Sequence, residues 1–173
     1  MKTRLLLLTL LIASQAFSQA DKKLDVFLSF QANTTVYDRT ASSNSGGAGL
    51  GLQTVLNTKT RVKPTVELNG NIFGGTKIYY VTTDGKPINS KNGVLSIHAG
   101  PYLQLSNRFF AAATIGSHFY NDEINFSARP SVGVYPTRNK KWTLKTAFTN
   151  VFQRDEISNE NFGYLSFAIA VRF

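Results

Sequence analysis

Alternation with period two runs through this chain eight times, and it leaves little room for any fold but a sheet. Successive strand side chains point to opposite faces, so such a segment presents one apolar and one polar surface. The clearest case is the C-terminal stretch FGYLSFAIAVRF, Phe162 to Phe173. Gly163, Leu165, Phe167, Ile169, Val171 and Phe173 form an almost wholly apolar phase. Phe162, Tyr164, Ser166, Ala168, Ala170 and Arg172 form the other, small or polar apart from two aromatics. The same pattern recurs over Leu24–Tyr37, Gly47–Leu56, Thr60–Phe73, Gly93–Ser106, Phe109–Asn121, Ile124–Pro136 and Trp142–Gln153. No helical period competes with it beyond the N-terminal leader.

The connections between these segments alternate in length. Asn57-Thr58-Lys59, Asn107-Arg108 and Arg138-Asn139-Lys140-Lys141 are short turns. Asp38–Gly46, Gly74–Asn92 and Arg154–Asn161 are longer, with Asn121–Glu123 a short exception among them. Short turns at one rim and longer loops at the other are the layout of a membrane barrel, and an even strand number puts both chain ends at the short-turn rim. Inside the longest connection, Lys77–Thr82 also reads as strand and Asp84-Gly85 as a turn, so a hairpin at about 74–92 is expected to protrude beyond the membrane.

Met1 to about Gln19 carries Lys2 and Arg4, then the apolar run LLLLTLLIA, then small and polar residues through Ala16-Phe17-Ser18. That is the build of a secretory signal peptide over 1–19, which leaves a single domain over 20–173. The apolar run is shorter than the ~20 residues a spanning helix needs. Without Lys2 and Arg4 the 19 basic residues become 17 against 10 acidic, a balance of +7. The positive charges are scattered over turns and form no basic helix, which argues against nucleic acid and for anionic lipid as their partner. Mean hydropathy is −0.13, too low for a helical membrane protein but ordinary for a barrel whose strands alternate lipid-facing and lumen-facing residues. There is no cysteine, hence no disulfide or thiolate metal site, and no cofactor or metal is expected.

The direction of the two phases decides the class. Gly, Ser, Thr, Asn and Gln dominate the polar phase and suit a narrow lumen, whereas a water-facing surface would carry more charge. The apolar phase holds no charge over the strand centres, as a hydrocarbon-facing band requires. Aromatics gather near strand ends, with Trp142 and Phe173 at the short-turn rim and Tyr37, Tyr79, Tyr80, Phe119 and Phe152 toward the other, where interface girdles sit. Pro64, Pro101, Pro130 and Pro136 fall within or near strands, and bulges or strand ends must absorb them.

A last strand that ends on Phe173, with Phe167, Ile169 and Val171 on the same phase, resembles the C-terminal signal strand of bacterial outer-membrane β-barrels. With the leader, the eight alternating segments and the alternating connections, the whole chain after the leader resembles the small OmpA/OmpX-type barrels. The resemblance implies an all-β, eight-stranded antiparallel up-and-down transmembrane β-barrel with short periplasmic turns and longer outer loops. It further implies insertion by the barrel-assembly machinery, recognised at Phe167, Ile169, Val171 and Phe173, and a monomer in contact with outer-membrane lipid and lipopolysaccharide.

Four inward-phase residues stand out by charge. Counted from the short-turn rim, Glu67, His98 and Arg129 each sit about eight residues up their strands, with Lys145 lower. A carboxylate in a narrow lumen needs partners, so these four are expected to form a charge-paired tier that plugs the barrel. His118-Phe119-Tyr120-Asn121, with Glu123 after it, is similar to the His-x-Ser-Asn motif of the lipid A deacylases, which are also small barrels. Tyr120 stands where that motif has its nucleophilic serine, and no Ser–His pair is legible elsewhere. The expected function is therefore a non-enzymatic barrel with a structural or surface-interaction role. The alternatives are a lipid-A-modifying enzyme and a soluble exported lipocalin-like ligand-binding barrel.

Overall fold

A computed structural model describes residues 24–36, 46–74, 92–120, 123–152 and 162–173. The expected signal peptide, the hairpin tip and its Tyr79 and Tyr80, and most of the longer connections lie outside the described residues. Eight strands form, β1 (Leu24–Thr35), β2 (Gly46–Leu56), β3 (Val62–Gly74), β4 (Asn92–Gln104), β5 (Phe109–Tyr120), β6 (Glu123–Val134), β7 (Trp142–Val151) and β8 (Phe162–Arg172). Each expected segment is there, with ends that differ by one to two residues where turns rather than alternation set the limit. All neighbours are antiparallel, and β1 pairs with β8 through Leu28↔Val171 and Ala32↔Phe167, which closes the sheet into a barrel. Closure leaves no strand edge unpaired.

The apolar phases face outward. Phe30, Leu50, Ile72, Ile124 and Phe167 are each more than half exposed, as part of a belt contributed by every strand. A soluble monomer rarely shows a contiguous apolar patch of more than a few hundred Å². A bilayer is the environment that covers such a belt, and a water-soluble lipocalin-like barrel, with its apolar phase inward, is excluded by this wall. Trp142 and Phe173 are exposed at the short-turn rim, and Phe119 and Phe152 near the opposite one. Phe152 stacks on Phe126 at 5.7 Å.

The prolines are accommodated without bulges. Pro64 lies just past Val55↔Thr65, the last pair of the β2–β3 ladder, and faces Pro101 across β3–β4. The β4–β5 ladder runs to Ala99↔Ile115 and resumes at Tyr102↔Ala112 in the same register. The β6–β7 ladder likewise breaks after Ala128↔Asn150 and resumes at Ser131↔Ala147. Proline has no N–H to give, so at Pro101 and Pro130 the wall gives up local pairing and keeps its register. Pro136 lies beyond the end of β6, in the turn.

The lumen is a packed core in three layers. Toward the short-turn rim Phe27, Val55, Tyr102, Phe110, Ala112, Tyr135 and Ala170 form one apolar cluster. Toward the outer rim Phe73, Val94, Val151, Phe162 and Tyr164 form another. Polar side chains fill the space between. Eight strands enclose an interior just wide enough for side chains, and here they fill it. Gly133 shows how tight the fit is: an added Cβ would run into the Phe110 ring, so only glycine lets that ring lie against the wall.

Candidate functional site: the filled lumen

The middle layer is organised on Glu67, which is 1 % exposed. Its Oε2 accepts from Arg129 Nε at 3.2 Å, and Lys145 Nζ lies 3.2 Å from its Oε1. Arg129 is fully buried and spends its remaining donors on neutral oxygens. Nη2 donates to Gln31 Oε1 at 2.9 Å, and Nη1 donates to the Thr149 hydroxyl and, at 3.4 Å, to Ser166 Oγ. Lys145 also donates to Gln53 Oε1 at 3.0 Å, so the side chain that sits lower on its strand still climbs to the carboxylate. Side-chain bonds from Gln31 to Asn69 (2.7 Å), Asn33 to Asn71 (2.8 Å) and Gln53 to Thr65 (3.1 Å) extend the network. It crosses the lumen between β1, β2, β3, β6, β7 and β8.

The reason for this arrangement is electrostatic. Removing a charge from water costs several kcal/mol even after relaxation, and only close opposite charge and satisfied hydrogen bonds offset it. One carboxylate faces two cations here, and the amides and hydroxyls around them supply the further acceptors. Such a tier gives little net stability but strongly penalises loss of any one member.

His98 opposes Glu67 in the β3–β4 register, yet its ring turns the other way, past Gly116 of β5, and Nε2 meets Ser127 Oγ at 2.8 Å. This Ser–His contact was not legible in the sequence. The two residues are 29 apart, on strands that do not pair with each other, and β5 brings them together: His98 and Ser127 both lie opposite Gly116, which has no side chain to keep them apart. His98 Nδ1 has no hydrogen-bond partner among the described residues, and Glu67 is committed to Arg129 and Lys145. The third member that would orient the imidazole is therefore missing. His118 is buried inside the outer aromatic layer, 6.0 Å from the Phe162 ring and 6.2 Å from Tyr164, and not at the lipid interface.

The two apolar layers bracket the tier. At the outer end Phe73 meets Tyr164 edge-on at 5.1 Å and Phe162 at 5.6 Å. At the other end Tyr102 stacks on Phe110 at 4.9 Å, and its hydroxyl shares a short hydrogen bond with that of Tyr135. Each aromatic pair contributes about 0.5–1.5 kcal/mol beyond the area it buries. Burial pushes the Tyr135 phenol above its ordinary range, so it stays protonated and able to donate. The sequence placed Phe162 and Tyr164 on an inward phase. It did not bring out Phe27, Phe73 and Phe110, whose apolar character hides them among polar neighbours.

A closed wall with an apolar belt outside and a polar, charge-paired interior defines a small transmembrane β-barrel of the outer-membrane type. Among solved structures, the chain is similar in fold to Ail, the attachment invasion locus protein of Yersinia pestis, with a TM-score of 0.59 and 9 % identity over 87 % of this chain and 97 % of that one. Ail in a phospholipid bilayer nanodisc gives a TM-score of 0.57 and 11 % identity, covering 86 % of this chain and 99 % of that one. Neisserial surface protein A gives 0.50 and 11 %, covering 88 % and 98 %. No protein-family model matches the sequence, and no curated protein does.

Proposed function

We propose that this outer-membrane barrel is neither a channel nor an enzyme, and that it serves a structural or surface-interaction role. The observation that carries the reading is the filled lumen, in which the Glu67–Arg129–Lys145 tier lies between two aromatic layers. In this reading the tier, with His98 beside it, is an internal plug. The barrel is a rigid support for its outer loops, above all the hairpin at about 74–92, which makes the surface contacts. The fold shared with Ail, the attachment invasion locus protein, supports that direction. Within the same reading the leader over 1–19 is removed and the barrel-assembly machinery reads Phe167, Ile169, Val171 and Phe173. The barrel stands as a monomer among outer-membrane lipid and lipopolysaccharide, with Trp142, Phe119, Tyr79 and Tyr80 at the interfaces.

The test is conductance of the folded protein in planar bilayers. The plug predicts no discrete channel events, and stable unitary conductance would overturn it.

One observation favours a second reading. The Ser127–His98 contact has the distance of a nucleophile and its base. It is weakened by the partnerless Nδ1 and by the aromatic layers above and below it. A fluorophosphonate probe applied to the folded barrel separates the two readings. An inert lumen leaves Ser127 unlabelled, whereas labelling that is lost on His98→Gln makes this a serine hydrolase.

A further inference from the structure

Beneath the Tyr102–Tyr135 layer the lumen opens at the short-turn rim into a vestibule of about 200 Å³. Its lining includes Lys63, Lys140 and Arg172 but only one carboxylate, Asp25. Arg172 takes that carboxylate, with Nη1 3.6 Å from Asp25 Oδ1, and gives Nη2 to the Asn139 carbonyl at 2.7 Å. Lys63 donates to a neutral acceptor, Asn57 Oδ1, at 2.9 Å. Lys140 Nζ stands 5.4 Å from the centre of the Tyr135 ring. Two ammonium groups thus share a concave polar site in which no anion is left for them among the described residues.

The β6–β7 turn and the tyrosine pair shape this site. Lys140 has φ 54°, the left-handed region that glycine or asparagine ordinarily fills, and no other non-glycine among the described residues has a positive φ. The β6–β7 turn accounts for it: the Lys140 N–H closes on the Thr137 carbonyl at 3.1 Å, and a left-handed residue commonly ends such a hairpin turn. The inner end of the site is the tyrosine pair. Tyr102 and Tyr135 are both nearly fully buried and both line the vestibule. When one hydroxyl donates to the other, one O–H of the pair is left over, and the pair borders the vestibule on one side and a small cavity beside Lys145 on the other.

We propose that this vestibule is a binding site for a small phosphate-type oxyanion, held by Lys63 and Lys140, with Arg172 beside them and the tyrosine pair donating from above. Two point charges on flexible stems and a hydroxyl donor suit a phosphate whose oxygens diverge. The volume, at ~30 Å³ for each water in the liquid, holds several waters or one phosphate group with its nearest substituent. Two sources offer this chemistry at that rim, a free phosphate compound and the head group of an inner-leaflet phospholipid.

The test is calorimetric titration of the folded barrel with inorganic phosphate in nanodiscs of phosphatidylcholine, and again in nanodiscs containing phosphatidylglycerol. Saturable one-to-one binding is expected in the first, weakened at least tenfold in the variant Lys63→Gln/Lys140→Gly. Glycine at 140 adopts the same backbone conformation while the side chain and its ammonium are lost, so this variant keeps its heat-modifiable mobility. Unchanged affinity in the second nanodisc marks a free phosphate as the ligand. Apparent weakening there, abolished by the double variant, marks the lipid head group. Absence of saturable phosphate binding in phosphatidylcholine, or equal binding by the folded double variant, overturns the site.

Discussion

Arg129 donates to the Thr149 hydroxyl across the stretch where β6 and β7 are not laddered together. The two strands pair at Ser127↔Val151 and Ala128↔Asn150 and again from Ser131↔Ala147, and the interval holds Arg129 and Pro130. Pro130 faces lipid and has no N–H. Arg129, the next residue on the lumen side, stitches β6 to β7 through its side chain and continues to Ser166 on β8 and Gln31 on β1. The charge tier thus fastens the wall at the level where backbone pairing lapses, as well as filling the lumen.

This stitch predicts a measurable cost for a small change. Thr149→Val keeps the shape and removes the acceptor, leaving one buried Arg129 donor short of a partner, and should destabilise the barrel by about 1–3 kcal/mol. Thr54 makes only a long bond, 3.5 Å to the Val66 carbonyl, and is not buried, so Thr54→Val should be near neutral. Urea unfolding in detergent, followed by the fluorescence of Trp142, the single tryptophan, reads both.

Glu67 links two cations, so its neighbours are coupled. Arg129→Met or Glu67→Gln alone should each cost about 3–5 kcal/mol, because each leaves buried charge uncompensated. The triple change Glu67→Met/Arg129→Met/Lys145→Met should cost far less than the sum of the singles, since it removes the desolvation penalty with the charges. Equilibrium unfolding of the variants in one detergent checks this. Additive losses would mean that the three side chains act independently.

Strand number, phase and direction were legible because a lipid-facing wall imposes period two on every strand. Among the described residues, the strand-centre charges of Glu67, Arg129 and Lys145 lie on the lumen side. What stayed hidden depends on shear and rotamer. The sequence set Lys145 lower than Glu67, yet its long stem reaches the carboxylate. His98 shares the Glu67 register but turns to Ser127, a choice no spacing rule encodes. The prolines were visible as a problem whose solution, a lapse in the ladder at constant register, lies in pairing between strands and not in either strand alone.

Glycines separate by the space around them. A Cβ on Gly116 would collide with the Ile97 carbonyl and come 2.8 Å from His98 Cα, both backbone atoms of the neighbouring strand. A Cβ on Gly70, which faces outward, meets nothing within 4 Å. Gly116→Ala should therefore force β4 and β5 apart and deplete the heat-modifiable folded form, whereas Gly70→Ala should fold as well as the parent. Gel mobility with and without boiling distinguishes them, and normal folding of Gly116→Ala would show that the β4–β5 spacing yields more easily than a hydrogen-bonded wall should.

The outward belt makes a depth-dependent prediction. Phe30 lies midway along β1 and pairs with Leu50, itself near the middle of β2, and with Ile169 of β8. Val62 opens β3 beside the short-turn rim. A lysine at the bilayer midplane costs about 2–4 kcal/mol and one near the interface about 0–1, because the ammonium reaches head groups and water only from the rim. Phe30→Lys should thus lose that larger amount in lipid vesicles and Val62→Lys almost nothing. The same pair in a short-chain detergent micelle should differ less, since a micelle lets water approach the middle of the wall. Equal costs at the two positions in vesicles would mean that the belt does not sit across a hydrocarbon slab in the way the barrel's two rims require.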